Sequence, residues 1–437
     1  MTEQIPPTDP TDLNKTLIEH NIAKAALYFP NINTILVPKK SEYNLKKYAS
    51  KKLLKKVDSD INVAVEKCLV FLSNLASTYY TEDRKKSLHS TILHDQSKNK
   101  DNAYIYTKII DVLVAGTKRG GAIIKVETRY EVGSYSKQYS ITDSYFKVGL
   151  TDYILKDVSI IQRRNKLFYN HLKEIISNVI CSNLINIYGS VELPTVEEIK
   201  AEGRKLVKSG YKTNKGKLLT MRNKHTNSYW NDVSKRSFVE DNIALFEFLT
   251  KRGFMLPTIG DDKSGGRIVD SFTLMPSWIR KMIKFDGHPI VESDYSCLHP
   301  NLASKIYGGT GKPLRHEIVS EYLKISRQEA KIEHLSFFNK EWSSLQHSPL
   351  YSYYFNEEPT LMENMCIDKA KNGYISTTTK VFRLEVEVMS NVIKLLNNQK
   401  IYVLYVYDAI YCKQSDKEEV NRIMNLVAKE MGINTLV

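Results

Sequence analysis

Two aspartates stand where a carboxylate is costly. Asp294 closes the β-type run PIVESDYS, and Asp408 interrupts IYVLYVYDAIYC, which is β-branched and aromatic on both sides of it. A carboxylate in a strongly apolar strand needs a hydrogen-bond partner or a metal ion. A single such residue is ordinarily a hydrogen-bonded turn carboxylate. A pair can share Mg2+, a hard ion that takes a few carboxylate oxygens and completes its shell with substrate phosphate. Two ions held this way activate an attacking hydroxyl and stabilise a leaving oxygen, which is the chemistry of phosphoryl transfer.

Cations suited to phosphate lie between the two. ISRQEAKIEHLSFFN places Arg327 and Lys331 four residues apart, on one face of a helix. Glu321, Glu329 and Glu333 are close in sequence, so a surface ion-pair helix is the plainer reading of that spacing. The other reading is an incoming triphosphate, whose charge must be matched for in-line transfer. Upstream, GGRIV and SWIRK supply Arg267 and Arg280, suited to holding template, primer or the surrounding fold. The most basic stretch runs from Gly203 to Lys224. It holds Lys208, Lys212, Lys215 and Lys217 among eight cations and has no acidic residue, so it can track a phosphate backbone.

These residues need a scaffold. Residues 40–56 form a dense lysine run with helical character, followed by the helical VDSDINVAVEKCLVFLSNLAST. From Ala122 to Val148 the chain is rich in β-branched and aromatic residues with short polar breaks, the pattern of a small antiparallel sheet. Helical periodicity returns over 151–200. In the C-terminal third one strand delivers Asp294 and a hairpin delivers Asp408. Between them lies a long helical insertion, ending in the stripe Val381, Leu384, Val388, Val392 and Leu396. The class is α+β.

With 437 residues, two or three domains are expected. Lys and Arg total 63 against 49 acids, a formal +14 that attracts polyanions such as nucleic acid. The five cysteines form no C-x-x-C pair, which argues for a reducing compartment and against a zinc ribbon. No apolar run reaches the length of a membrane span, and MTEQIPPTDP is no signal peptide. A cytoplasmic protein without membrane partners is expected.

The order of these elements resembles the active-site region of the DNA polymerase I family, family A. Its members carry Thr-Gly-Arg, then a Pro and an Ile-Arg pair, a Gly-containing turn, and a strand ending Asp-Tyr-Ser-x-x-Glu. Here the run reads Gly265-Gly266-Arg267, Pro276, Ile279-Arg280, Gly287, and Asp294-Tyr295-Ser296-Cys297-Leu298-His299. The family's Arg-x-x-x-Lys is matched by Arg327 and Lys331, and its His-Asp-Glu hairpin by Tyr407-Asp408-Ala409. The resemblance covers roughly 265–437. It implies a right-hand architecture, with a palm and inserted fingers (about 305–380) in 265–437, a thumb-like basic region over 151–264, and an accessory module over 1–150. It implies two Mg2+ ions, or Mn2+ in their place, on Asp294, Asp408 and the Tyr295 carbonyl. Arg327, Lys331 and His299 would then bind the nucleotide. Arg267, Arg280 and the four lysines of the basic stretch would meet a DNA template and primer, with RNA as the alternative. A phage, plasmid or other mobile element is the expected source.

Three positions depart from the family. His299 replaces a Glu that helps exclude a ribose 2′-hydroxyl, Asn339 stands where an aromatic residue follows the fingers Lys, and Ala409 replaces the hairpin Glu. Three activities therefore remain open: a DNA polymerase, an RNA-synthesising or priming enzyme on the same scaffold, and a non-catalytic nucleic-acid-binding replication protein.

Overall fold

The structure is a computed structural model and describes residues 32–98, 103–127, 136–222, 231–251 and 254–437. Its fold class is mixed α+β, as the sequence pattern implies. Contacts divide the chain into two units, each discontinuous in sequence. Among the described residues one comprises 173–213 and 246–437, the other 32–172 and 214–245. These limits differ from the expected boundaries at 150 and 264. The first division falls inside the helix Val158–Ile176, and 173–213 joins the unit that carries the C-terminal third. Composition does not reveal which core a segment joins when its contacts are far away in sequence. The basic stretch is split, with Lys208 and Lys212 in one unit and Lys215 and Lys217 in the other.

The first unit begins with helix α1 (Val179–Ile187), strand β1 (Val191–Glu192) and helix α2 (Val196–Lys208). Strands β2 (Lys284–Phe285) and β3 (His288–Asp294) follow, then helices α3 (Leu298–Tyr307), α4 (His316–Leu323) and α5 (Arg327–Phe337). Next come α6 (Tyr351–Glu357), α7 (Pro359–Asn372) and α8 (Ser376–Asn398). The hairpin β4 (Leu404–Val406) and β5 (Ala409–Lys413) precedes the last helix, α9 (Lys417–Glu430). The strands form one antiparallel sheet in the order β4-β5-β3-β2-β1.

The apolar stripe of α8 explains its place. Val381, Val388, Met389, Val392, Ile393 and Leu396 are all buried at helical spacing, and α8 packs against α1, α3, α7 and α9. Burying such a face supplies most of what holds a helix of this length. Strand β5, paired on both sides by β4 and β3, is buried at Ala409, Ile410, Tyr411 and Cys412, which accounts for its continuous apolar run. The long insertion is helical throughout, from α3 to α7.

In the second unit Thr34–Pro38 pairs antiparallel with Leu150–Ile154. The lysine run forms the helices Ser41–Tyr48 and Lys51–Val57, and the next segment forms Ile61–Ser73. The expected small sheet is present, with Gln138–Ile141 between Lys86–Ser87 and Ile124–Glu127. Residues 128–135 of that stretch lie outside the described residues, as do the first 31 of the chain. Glu66 is buried, and its carboxylate accepts from the backbone N–H groups of Lys156 and Asp157 at 2.5 and 2.8 Å. It is a structural carboxylate that ties Ile61–Ser73 to the chain after Ile154. Among the described residues no helix is long and apolar enough to cross a membrane.

Candidate active site

Asp294 and Asp408 are brought together by strand register. Asp294 pairs directly with Ala409 across β3 and β5, so Asp408 stands one residue away, in the turn that joins β4 to β5. That turn has only two residues, Tyr407 and Asp408. The first of them adopts φ +58°, a conformation that two-residue hairpins usually give to glycine. A tyrosine there is strained, and its ring lies 4.6 Å from the Arg267 guanidinium.

The two carboxyls repel each other. Burial, then Asp408 and Glu292, push Asp294 up to about 7, while Lys331 pulls the other way. Burial, then Glu385, raises Asp408, and His299 and Arg267 oppose the rise. Glu292 lies two residues before Asp294 on the same face of β3, and the Tyr411 hydroxyl donates to it at 2.7 Å. Adjacent carboxylates that resist ionisation are the donor set that a divalent cation relieves. With one backbone carbonyl and substrate phosphate, two carboxylates suffice for Mg2+. Among the described residues no group of three His, Cys, Asp or Glu side chains gathers to hold a metal by itself.

The turn after Asp294 is braced by the last helix and the chain beyond it. Tyr295 is buried, and its hydroxyl donates to the Met424 carbonyl at 2.6 Å. The Ser296 N–H donates to the Leu436 carbonyl at 2.8 Å, and the Thr435 hydroxyl donates to the Ser296 carbonyl at 2.5 Å. Asn301 accepts from the Leu314 N–H at 2.9 Å and donates to the Cys297 carbonyl at 2.8 Å, pinning the start of α3.

A cavity of about 220 Å3 opens here. It is lined by Asp294, Asp408, Tyr295, His299, Arg327 and Lys331 together with residues 296–298, Pro300, His316 and His334. All six residues expected to hold metal or nucleotide therefore share one site. The charged residues of α5 have different partners. Glu329 is consumed by a capping box, accepting from the Ser326 N–H at 2.8 Å while Ser326 accepts from the Glu329 N–H at 3.1 Å. Glu333 pairs with Lys340 and accepts from Ser348. Arg327 pairs with Glu317 of α4. Lys331 forms no ion pair among the described residues and is exposed toward the cavity.

Two clusters go beyond what the spacing showed. The first joins Arg267, His299 and Glu385. Glu385 is fully buried on α8, and Arg267 donates to it through Nε at 2.8 Å and Nη2 at 2.6 Å. His299 Nε2 lies 2.5 Å from the same carboxylate. The Arg267 guanidinium also sits over the Phe382 ring, its Cζ 3.3 Å from the centroid. Gly265, with φ +66°, allows the approach, because a Cβ there would stand 2.5 Å from the Phe382 Cβ. Burial opposes a charge on His299, but Glu385 outweighs it and raises the imidazole above its ordinary value. Burial likewise opposes ionisation of Glu385, and His299 and Arg267 overcome it. The signal was present in the sequence, since Glu385 occupies a core position of the α8 stripe, where a carboxylate requires buried counter-charge.

The second cluster is His316, His334 and Tyr354. His316 Nδ1 lies 2.8 Å from His334 Nδ1, and His334 Nε2 lies 2.7 Å from the Tyr354 hydroxyl. Burial, then Arg327 and Lys331, lowers His316, and burial, then His316, pushes His334 down to about 3. No sequence spacing flags three such residues on three helices.

The remaining candidates fall elsewhere. Arg280 is buried, with Phe272 and Tyr411 beside its guanidinium at 5.7 and 5.9 Å, and does not line the cavity. Lys208, Lys212 and Lys215 are exposed. Lys217 is half-buried, pairs with Glu82 and donates to the Val233 carbonyl at 2.6 Å. Asn339 accepts from the Thr378 hydroxyl.

No protein-family model matches the chain, and no curated protein matches it either. Among solved structures it is similar to the POL domain of Pol1 from M. smegmatis in complex with DNA primer-template and dNTP. The identity is 10% and the TM-score 0.40, over 64% of this chain and 71% of that one.

Proposed function

We propose that the chain is a template-dependent polymerase, with DNA as its main product, that transfers nucleotides at the cavity between β3, the β4–β5 hairpin, α4 and α5. The observation that supports this most is the meeting of two mutually repelling aspartates with an arginine and with a lysine that forms no ion pair among the described residues, in a single cavity. An anion-binding surface alone would not need the aspartates. A structural ion-pair network would not leave Lys331 without a partner among the described residues.

In this reading the five-stranded sheet is the palm and α3 to α7 form the fingers. Asp294, Asp408 and the Tyr295 carbonyl would hold two Mg2+ ions. Those ions supply a lowered pKa for the attacking 3′-hydroxyl and counter-charge for the leaving pyrophosphate. Lys331 and Arg327 meet the β- and γ-phosphates, with Glu317 steering the Arg327 guanidinium. The bracing of Ser296 by Leu436 and Thr435 keeps the Asp294 turn in place during turnover. Arg267 acts within the palm by fixing His299 through Glu385. The exposed lysines of the basic stretch meet the nucleic-acid backbone.

The choice of sugar has a second reading. His299 is committed to Glu385, and Asn339 cannot supply a phenol, so both halves of the family's ribose filter are altered. That favours weak discrimination against ribonucleotides. Extension assays with dNTPs and with NTPs, on primed and unprimed templates, test both readings. Mg2+-dependent extension of a primed template with dNTPs is the expected result. Extension of unprimed template with NTPs alone would make the chain a priming enzyme, and binding without synthesis would remove the proposal.

A further inference from the structure

Three buried side chains run in line from the wall of the cavity, His316 and His334 lining it and Tyr354 beyond them. The facing Nδ1 atoms of His316 and His334, 2.8 Å apart, can share one proton only if one ring donates and the other accepts. The far end of the line decides which. Tyr354 is fully buried, and its hydroxyl reaches one acceptor among the described residues, His334 Nε2 at 2.7 Å. The Tyr354 ring packs against those of Phe337, Phe338 and Tyr353, and Cys297 and Glu358 lie close enough to act on its hydroxyl electrostatically without a hydrogen bond to it among the described residues. If His334 donated from Nε2, the phenol proton would have no acceptor, and a buried hydrogen bond would be left unmade.

Tyr354 therefore donates, His334 carries its proton on Nδ1, and His316 Nδ1 accepts it. A neutral imidazole that accepts at Nδ1 carries its own proton on Nε2. Burial keeps both rings neutral, and for His316 the neighbouring Arg327 and Lys331 act in the same direction. His316 is nine-tenths buried, lines the cavity with Arg327 and Lys331, and its Nε2 bonds to no described residue.

We propose that Tyr354 and His334 are positioning residues that fix the His316 proton on Nε2, so that His316 meets the nucleotide's phosphates as a hydrogen-bond donor. The phosphate part of this statement rests on the polymerase reading above. The proton assignment rests on the hydrogen bonds alone. The opposite tautomer would present a bare lone pair to an anion, beside two cations that otherwise attract it. A line of neutral groups thus adds a third donor to the phosphate site without adding charge to a buried pocket.

The tautomer can be read directly. In protein labelled with 15N-histidine, the His316 signals are assigned by their loss in His316→Gln. Nucleotide-free wild type is expected to show His316 protonated at Nε2. Tyr354→Phe and His334→Leu each remove the constraint and turn the signal into a mixture. His334→Asn, whose amide can donate from the place of Nδ1, keeps the wild-type form. In primer extension, Tyr354→Phe and His334→Leu raise the nucleotide KM about tenfold with kcat within about twofold, the loss of one hydrogen bond. His334→Asn stays near wild type. A wild-type His316 protonated at Nδ1 would overturn the proposal. So would an unchanged tautomer and KM in both Tyr354→Phe and His334→Leu, which would leave the line a packing feature. The tautomer is measured without nucleotide, so a wild type that extends no primer counts against the polymerase reading and not against the proton assignment.

Discussion

Asp294 faces Ala409 across the β3–β5 pair, and this puts Asp408 at the hairpin turn, one residue from being its partner in register. Asp294 ends β3 and Asp408 stands in the tight turn that leads into β5, so the ladder between these strands fixes both positions. Asp294→Asn and Asp408→Asn are each expected to abolish Mg2+-dependent synthesis. Each also removes one of two repelling groups, so neither should lower thermal stability in metal-free buffer. Extension assays beside thermal unfolding check both statements. Near-normal extension by either variant would remove the assignment.

Much of this site was legible in the sequence, and the reason is local. A strand ending in Asp and a two-residue hairpin around another Asp are each contained in a dozen residues, and the helical spacing of Arg327 and Lys331 needs only four. The register that joins Asp294 to Ala409 was not legible, because it pairs strands that lie far apart along the chain. What stayed hidden depends on distance along the chain. Glu385 lies 86 positions from His299 and 118 from Arg267. His334 and Tyr354 meet through the packing of α5 on the rest of the insertion, which no periodicity encodes. The division into units was hidden for the same reason.

The phosphate-binding cations should differ in their response to truncation. Lys331 has no ion-pair partner among the described residues, so Lys331→Ala removes charge from the nucleotide site and leaves no buried group behind. Its nucleotide KM should rise by on the order of tenfold or more, with slower chemistry. Arg327→Ala should act in the same direction but more weakly, because Glu317 already spends part of the guanidinium's charge. Steady-state kinetics over a range of nucleotide concentrations separate the two. Wild-type nucleotide dependence in both variants would return α5 to a surface role.

The basic stretch makes a graded prediction. Lys208, Lys212 and Lys215 are exposed, whereas Lys217 is engaged by Glu82 and the Val233 carbonyl. Changing each to Gln and measuring DNA affinity against salt gives a slope for each. Every lost phosphate contact should reduce the log–log slope by about 0.7 to 0.9. The first three should show that change and Lys217→Gln much less of it. Four unchanged slopes would make the stretch a bystander.

Acid should destabilise the protein through the buried histidines. His334 is held neutral down to about pH 3, against an ordinary value of 6.5. Between those limits the unfolded chain binds a proton that the folded chain does not, so stability rises with pH and is lost as pH falls below 6.5. From pH 6.5 to 5 this amounts to about 2 kcal/mol. His316, lowered for similar reasons, adds in the same direction. The groups facing His334 are His316, Tyr354 and the Ala330 carbonyl, and none supplies a negative charge. Urea midpoints for wild type and His334→Asn at pH 7 and pH 5 test this. The wild-type drop should be the larger, and equal drops would show that His334 does not titrate as described.

The clearest test of how this site departs from the family it resembles is to restore the family's residue at position 299. In a family member a Glu there closes the pocket against a 2′-hydroxyl. In this chain the same change should fail. His299 Nε2 lies 2.5 Å from the Glu385 carboxylate, which is fully buried and already bonded twice by Arg267. A second carboxylate would replace a hydrogen-bond donor with a like charge, with one guanidinium left to serve two acids. Disturbing a buried pair in this way commonly costs about 3 to 5 kcal/mol. His299→Glu is therefore expected to lower thermal stability and activity together. His299→Ala should be milder, since Arg267 still satisfies Glu385, and should shift the dNTP-to-NTP ratio of kcat/KM more than it changes metal dependence. The double variant His299→Glu/Glu385→Gln removes the added charge, because an amide can donate to the new carboxylate, and should recover most of the lost stability. Single-nucleotide incorporation with matched dNTP and NTP, beside thermal unfolding of all three variants, carries the comparison. A stable and active His299→Glu would mean that Glu385 does not hold the ring of residue 299 and that the sugar pocket is built elsewhere.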